Sequence, residues 1–581
     1  MRSETDESLR SGRAAGRDPS PKVGERSGEL GPMQFAAAFF GFGLSVLLPI
    51  RGGAAEVARV DDLVDLSIDR RADLGSAEVL SNYVAIQGMT WNYWDRFESR
   101  AWKELRMRTD SVPLLNDEYY FPEGGIRVLR SATRPGTAAR GPLGLRRDLW
   151  IDVADFASYR ATLASRLGMG IDQMGLGLGA MPRTLSHAPA SPNWMSMSPA
   201  DPEEWIAVMR EVGRYLAEIG WQQPTIYFFG EYENLFYGKD RPLSSKERAR
   251  DHAELYILTQ RALTESLPQV KLVAPATSTY SRVFTQELQA NPDALGIEDW
   301  LEALKSLDPG FEPSAIGWQG YYWYGLDGFG PGRLLEGAEH IRGVLRELGF
   351  RENIPQYLCG WNGTFGNFEA EDGTMPDDVR LSKEAAHMIS SIIDWLEIGA
   401  GGEPRIRSAH YYTWNLDGPP ECEGFPYQSL VSSVHEKMDL GDPLGCDIPA
   451  SNIACRRATY HAMKFLSDLR AGRVLGASIG GDSSEAWSNL RIAAVKKDRA
   501  TEILVAHRDN AAIPSINVAV RGLSPRKRYK VTVDTIRSSG NGCAAIVSSR
   551  ARRVKADATG TLVTLLPSTG VGIMRVRVAP R

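Results

Sequence analysis

The sequence predicts an α/β fold: a (β/α)8 barrel, or TIM barrel, with an appended β-sandwich. Three observations predict it. From about residue 83 to 469, short apolar runs alternate with amphipathic helical patterns, as parallel strands joined by crossover helices require. Eight such runs occur in that span, a number that favours a closed ring over an open sheet. Beyond Gly472 the pattern becomes short two-residue alternations between turn residues, which suits a β-sandwich.

The elements follow in order. Residues 1–32 are polar, rich in Ser, Gly and Arg, and without periodicity, a composition expected to be disordered. Residues 34–50 form an uncharged apolar run, closed by Arg51-Gly52-Gly53-Ala54-Ala55. That length suits a signal peptide or a short membrane anchor, so residues 1–55 are read as tail plus export segment. A secreted, periplasmic or membrane-anchored extracytoplasmic location is the expectation. Residues 56–82 alternate in places and are expected to add strands to the sandwich. The barrel is assigned to 83–470, with strands at 83–86, 104–108, 173–178, 226–229, 270–274, 315–318, 356–359 and 408–412. Helical patterns lie at 155–167, 202–219, 245–267, 337–348, 382–396 and 454–469. Asp201-Pro202-Glu203-Glu204 is a helix start with an N-cap, a first-turn proline and acids at the positive dipole end. The sandwich, 471–581, has strands expected at 490–495, 501–506, 515–520, 529–533, 560–565 and 572–578.

Composition narrows the function. A formal net charge of -5 over 581 residues gives no footprint for nucleic acid or an anionic membrane surface. Fourteen Trp and twenty Tyr suit flat, hydroxylated ligands such as sugars. No Cys-x-x-Cys occurs and the eight histidines are scattered, so neither a metal nor an organic cofactor is implied. Cys422, Cys446 and Cys455 share one loop-rich region where a single bridge is expected in an oxidising compartment; five cysteines leave one thiol over.

The stretch Thr225-Ile226-Tyr227-Phe228-Phe229-Gly230-Glu231-Tyr232-Glu233-Asn234-Leu235 carries the chemistry. An apolar, buried-strand pattern ends abruptly in two carboxylates. A barrel delivers catalytic side chains at the carboxyl ends of its strands. Glu231 and Glu233 are therefore the candidate catalytic residues. Glu231, nearest the strand and flanked by Phe229, Tyr232 and Phe236, is the candidate general acid, because desolvation raises a carboxyl's pKa. A carboxylate paired with a structural arginine is the competing reading.

Taken together, the strand ends resemble family 39 of the glycoside hydrolases, the β-xylosidase and α-L-iduronidase relatives, from about residue 82 onward. The resemblance is carried by Leu167-Gly168-Met169-Gly170 leading to Leu176-Gly177-Leu178-Gly179-Ala180-Met181-Pro182, by Ala274-Pro275-Ala276-Thr277, and by the helix pattern at 457–466. It implies a retaining-clan barrel with a β-sandwich and a carbohydrate partner, an oligo- or polysaccharide. The departures fall on the catalytic positions. The second strand ends in Arg108-Thr109-Asp110 rather than Arg-Phe-His. The fourth ends in Glu231-Tyr232-Glu233-Asn234 rather than Asn-Glu-Pro-Asn, and the sixth in Gln319-Gly320-Tyr321 rather than His-Ala-Tyr. The seventh reads Cys359-Gly360-Trp361-Asn362 where the family has Thr-Glu-Trp-Asn. Glycine supplies no nucleophile. Three readings follow: a glycosidase with relocated carboxylates, with Asp110 or Asp417 as base; a barrel that binds glycan without cleaving it; or Gly360 as an engineered replacement of glutamate. The substrate-binding set expected from these tips is Arg108, Asp110, Tyr232, Asn234, Gln319, Tyr321, Gly360, Trp361, Asn362, Tyr412 and Trp414. Arg108 is expected to brace the acidic residues, and Trp361 either to stack on a sugar ring or to pack in the core.

Overall fold

The computed structural model describes residues 64–581 except 87–102, 110–111, 117–123, 146, 168–173, 179–180, 192–193, 195–196, 223, 229–242, 278–295, 321–330, 362–376, 397–403, 412–430, 434–452, 481–488, 508–512, 514, 539–542 and 567–571. Ala58–Arg581 form one compact unit. It is a mixed α/β fold with curled sheets.

In chain order, β1 (Val64–Ser76) precedes three short segments, β2 (Ala85–Ile86), β3 (Arg108–Thr109) and β4 (Val112–Pro113). A small antiparallel sheet follows, made of β5 (Arg127–Arg130), β6 (Ala139–Leu143) and β7 (Leu149–Asp152). Then come α1 (Ala154–Leu167), β8 (Leu176–Gly177), α2 (Pro202–Glu218), β9 (Thr225–Tyr227), α3 (Ser245–Thr264) and β10 (Lys271–Thr277). The alternation continues with α4 (Ile297–Leu307), β11 (Ala315–Gly320), α5 (Pro331–Glu347), β12 (Gln356–Trp361), α6 (Asp377–Trp395) and β13 (Ser408–Tyr411). A hairpin of β14 (Val431–Ser433) and β15 (Ile453–Arg456) leads to α7 (Ala458–Leu469). The rest is β16 (Arg473–Gly480), β17 (Leu490–Lys497), β18 (Ala500–His507), β19 (Ile516–Arg521), β20 (Arg528–Ser538), β21 (Ala544–Ser548), β22 (Arg552–Lys555), β23 (Leu562–Leu566) and β24 (Ile573–Pro580).

One sheet runs β3-β2-β13-β12-β11-β10-β9-β8-β4, with every pairing parallel. Its two end segments, β3 and β4, are separated in the chain only by residues 110 and 111. Side chains alternate between its faces. Ile226, Phe228, Leu272, Ile316, Trp318 and Leu358 join the large core against the helices, whereas Tyr227, Val273, Ala315, Tyr357 and Cys359 form a separate cluster on the other face. Both faces of β11 and β12 are buried throughout, which is why these strands read as continuous apolar runs.

The helix starts obey local chemistry. The Asp201 side chain accepts the Glu203 N–H at 2.9 Å ahead of Pro202. Ser244 and Glu247 cap α3 reciprocally. Tyr256 on α3 ties helix to sheet by donating its hydroxyl to the Leu272 carbonyl at 2.9 Å. The inner cluster is tight at one point. A Cβ at Gly317 would lie 2.6 Å from Val273 Cγ1 and 2.8 Å from Cys359 Sγ. Gly317→Ala is therefore expected to cost about 1–3 kcal/mol through overpacking, read as a lower urea midpoint with an unchanged m-value; an unmoved midpoint would show that the interior yields.

The second sheet is ten-stranded, ordered β21-β20-β24-β18-β17-β16-β1-β19-β23 with β22 on β20. Here β1 lies between β16, to which it is antiparallel, and β19, to which it is parallel. Leu66 and Ile68 of β1 share a core with Leu475, Ile503, Val518 and Val576. Helices α6 and α7 pack on this sheet. Arg575 crosses the junction, reaching Asp534 at 2.7 Å and Asp468 of α7 at 2.8 Å. Burial alone would push the Asp468 carboxyl up, but Lys464 and Arg575 hold it below its usual range.

Cys359 is a free, buried thiol, and Cys543 is disulfide-bonded. With Cys359 excluded, its partner is Cys422, Cys446 or Cys455. The bridge expected within that group falls on side chains outside the described residues. Non-reducing peptide mapping is expected to recover Cys543 linked to one of them, and reduction to lower the melting temperature; a free Cys543 thiol in the native protein would contradict the bond.

Candidate active site

The inner face of the parallel sheet is polar at its centre. The Tyr227 hydroxyl on β9 meets His410 Nε2 on β13 at 3.1 Å, and their ring centroids are 4.9 Å apart. Tyr357 on β12 lies edge-on to Tyr227 at 6.3 Å. Arg108 on β3 donates Nη1 to Asn82 Oδ1 at 2.9 Å. Burial, aided by the Arg108 charge, pushes the His410 pKa down to about 3. The imidazole is therefore neutral over any physiological pH, a fixed polar group rather than a proton shuttle.

At the carboxyl ends of the strands, Gln319 on β11 donates Nε2 to the Ala276 carbonyl at 3.0 Å. Ala276 has φ 57°, a left-handed conformation that is strained for a residue with a side chain. Such strain persists where surrounding contacts enforce it, and it concentrates at functional sites. Gln319 pairs in register with Gly360 on β12, so the glycine stands beside this clamp. Register shifts flank Cys359 and Gly360 on both neighbouring strands. As a result Trp361 faces the helices. It is fully buried, with its ring centroid 4.6 Å from Trp395 and 5.5 Å from Tyr411. Its placement is that of a core tryptophan, and a sugar-stacking role does not fit it.

The described residues thus include four of the expected site residues: Arg108, Gln319, Gly360 and Trp361. Arg108 and Gln319 sit on the inner side, and Arg108 donates to Asn82; the acids it is expected to brace lie outside the described residues. Glu231, Glu233, Asp110, Tyr232, Asn234, Tyr321, Asn362, Tyr412 and Trp414 lie outside the described residues. Tyr227, Tyr357 and His410 were not singled out by sequence reasoning. The available signal was the polar or aromatic residue breaking an otherwise apolar strand run, as in Ser408-Ala409-His410-Tyr411. No group of three or more potential metal ligands occurs among the described residues. No described helix is long and apolar enough to cross a membrane.

A cavity of about 700 Å³ opens at the other end of the sheet. Thr225, Lys271, Ser314, Pro355 and Arg407 line it, and each stands at or just before the first residue of its strand. Arg108, Tyr227, Tyr357 and His410 form its inner wall.

The fold is similar to that of solved glycoside hydrolase structures of the family 39 type and their relatives. The chain superimposes on the GH39 enzyme from Xanthomonas axonopodis pv. citri with a TM-score of 0.56 at 13% identity, covering 89% of this chain and 97% of that one. A monomeric β-xylosidase from Caulobacter crescentus gives 0.54 at 14% identity over 89% and 99%. A glucosidase from Croceicoccus marinus gives 0.54 at 12% identity over 90% and 100%. Identities this low establish likeness of fold. No protein family matches the chain by sequence, and neither does any curated protein.

Proposed function

We propose that this protein is an exported glycoside hydrolase acting on an oligo- or polysaccharide in a cleft at the carboxyl ends of a closed (β/α)8 barrel. The observation that carries this reading is the strained Ala276 carbonyl held by Gln319 beside Gly360, on a fold shared with glycosidases along nearly all of their length. Continuity of β3 and β4 across residues 110–111 supports closure of the ring, with 83–470 as barrel and 471–581 plus 56–82 as sandwich. Strand phase supports the choice of groups. Tyr227 faces inward, and a two-residue period from it gives Glu231 and Glu233; the same period from Arg108 gives Asp110, from Gln319 Tyr321, and from His410 Tyr412. Glu231 acts as the general acid. Because Gly360 offers no nucleophile, the second carboxyl activates water: inverting chemistry, with two carboxyls about 6.5–9.5 Å apart and Asp110 or Asp417 as base. The Cys543 bridge supports an oxidising, extracytoplasmic location, as does the apolar run at 34–50.

The test is a screen of the purified protein against diverse glycans, following release and binding together, with the product anomer read by NMR at early times. Release with inversion is the expected result. Binding without release across a broad panel would overturn the hydrolase reading in favour of a glycan-binding barrel.

A further inference from the structure

We propose that the solvent face of β20 and β22 is a docking surface for a linear polyanionic polysaccharide, one that carries carboxylates or sulfates along its length. The choice of a polysaccharide rests on the reading of the chain as a glycan-acting protein; the anion-binding surface does not, and its test needs no hydrolysis.

Residues 521–556 hold ten Lys or Arg and one acid, Asp534, in a chain whose formal net charge is -5. The sheet gathers these cations on one face. Tyr529, Val531 and Val533 of β20 point into the sandwich core, and Val554 of β22 packs against it. Arg528, Lys530, Arg553 and Lys555 therefore take the other side, and all four are exposed. The antiparallel register sets Arg528 opposite Lys555 and Lys530 opposite Arg553. Opposed residues stand about 4.5–5.5 Å apart, and successive outward ones about 6.8 Å apart along each strand, so the four cations form a compact block. Like charges set directly opposite destabilise a sheet, and no described carboxylate pairs with any of the four. Asp534 is taken by Arg575 at 2.7 Å and by the Ser548 hydroxyl at 2.6 Å. Asp557 accepts the Thr559 and Thr561 N–H groups at 2.8 Å. The undescribed segments adjoining β20 to β24, 539–542 and 567–571, contain no acid. The acids of 481–488 and 508–512 attach at the far end of the sheet, beside Leu490 and His507. Lys530 stands next to Ala579, at the Thr501 end.

A sheet face has no walls to desolvate a small ion, and an exposed ion pair contributes little. A ligand must therefore present many anions at once, as a polymer does. Carboxylate and sulfate groups match the guanidinium fork. Single-stranded nucleic acid is held by stacking on aromatic rings, and Tyr529, the aromatic residue of these strands, is buried. Membrane surfaces favour apolar side chains that insert, and β20 and β22 expose no large hydrophobic side chain.

Isothermal titration of the whole protein at low ionic strength tests this with polygalacturonate, dextran sulfate, neutral dextran, a single-stranded DNA oligomer and phosphatidylglycerol vesicles. Both acidic polysaccharides are expected to bind, more weakly as salt is added, and dextran not to bind. Tighter polygalacturonate assigns the surface to carboxylated chains; tighter dextran sulfate assigns it to sulfated ones. Lys530→Gln/Arg553→Gln is expected to weaken that binding tenfold or more and, by relieving an opposed like-charge pair, to raise the melting temperature. Arg528→Gln/Lys555→Gln repeats the measurement should the first variant fail to fold. Lys246→Gln/Arg250→Gln removes the same charge from the exposed surface of α3 and is expected to change binding less than twofold. An equal loss in the α3 variant, no loss in a folded β20–β22 variant, or DNA or vesicles bound more tightly than either acidic polysaccharide would overturn the proposal. Retained binding by a protein that releases sugar from no glycan would uphold the docking surface and reject only the hydrolase.

Discussion

Glu231→Gln is expected to remove hydrolysis of unactivated glycosides while leaving glycan binding in place. A positioned general acid is worth about 10²–10⁴ in rate, and glutamine preserves shape while lacking the proton. The loss should shrink on aryl glycosides with acidic phenols, because a good leaving group departs without protonation. That contrast separates an acid from a residue that merely supports the fold, whose replacement would slow both substrates alike. The rate against pH should lose its alkaline limb in the variant, since that limb reports deprotonation of the acid. Unchanged turnover of a natural glycan by Glu231→Gln would remove Glu231 from the mechanism, and attention would then pass to Glu233.

Acid is expected to destabilise the protein through His410. The imidazole is buried and neutral, with its pKa lowered from 6.5 to about 3. An unfolded chain takes up that proton as pH falls below 6.5, and the folded chain does not. Stability from this group is therefore complete above pH 6.5 and declines steadily between about 6.5 and 3. At about 1.4 kcal/mol for each pH unit, the loss across the window reaches roughly 5 kcal/mol as an upper bound. Carboxylates held low by partners, such as Asp468, also weaken the fold in acid, so the wild type alone cannot isolate the histidine. The difference between wild type and His410→Gln can. Urea midpoints at pH 8, 6 and 4.5 are expected to favour the wild type most at pH 8 and to converge toward pH 4.5. Parallel curves over that range would show that His410 binds its proton equally in both states.

Much of the strand and helix pattern was readable because each element carries local chemistry. The strands β9 to β13 are apolar runs buried on both faces. The α2 start is written in Asp201 and Pro202. Failures came where local signals conflict. Residues 104–108 alternate like a strand, yet 103–105 are helical and Arg106 turns at φ 48° before β3 begins. Helix α4 was missed because its N-cap is Gly296, with no side chain to announce it. Helix α5 starts at Pro331, inside a glycine-rich stretch that reads as loop. Residues 454–456, whose pattern reads as the first turn of the 454–469 helix, pair as a strand with 431–433 instead. The small sheet β5–β7 went unseen because Gly141 and Pro142 interrupt its alternation.

The candidate site divides in the same way. The tips of the fourth and seventh strands stand out because charge or glycine ends an apolar run. The Gln319–Ala276 clamp was only half visible, since no pattern reveals which carbonyl a glutamine will hold. The amino-terminal cavity was invisible for a physical reason: its lining comes one or two residues at a time from separate strand starts, so no stretch of chain carries a motif for it.

The placement of β1 bears on how the molecule is made. The chain reaches Val64 early, yet that strand's two neighbours, residues 473–480 and 516–521, emerge some four hundred residues later. Until they do, Leu66 and Ile68 have nowhere to be sheltered. The sheet that holds β1 therefore cannot be completed until those last strands have left the ribosome, whereas the parallel sheet, drawn wholly from residues 85–411, has all its strands earlier.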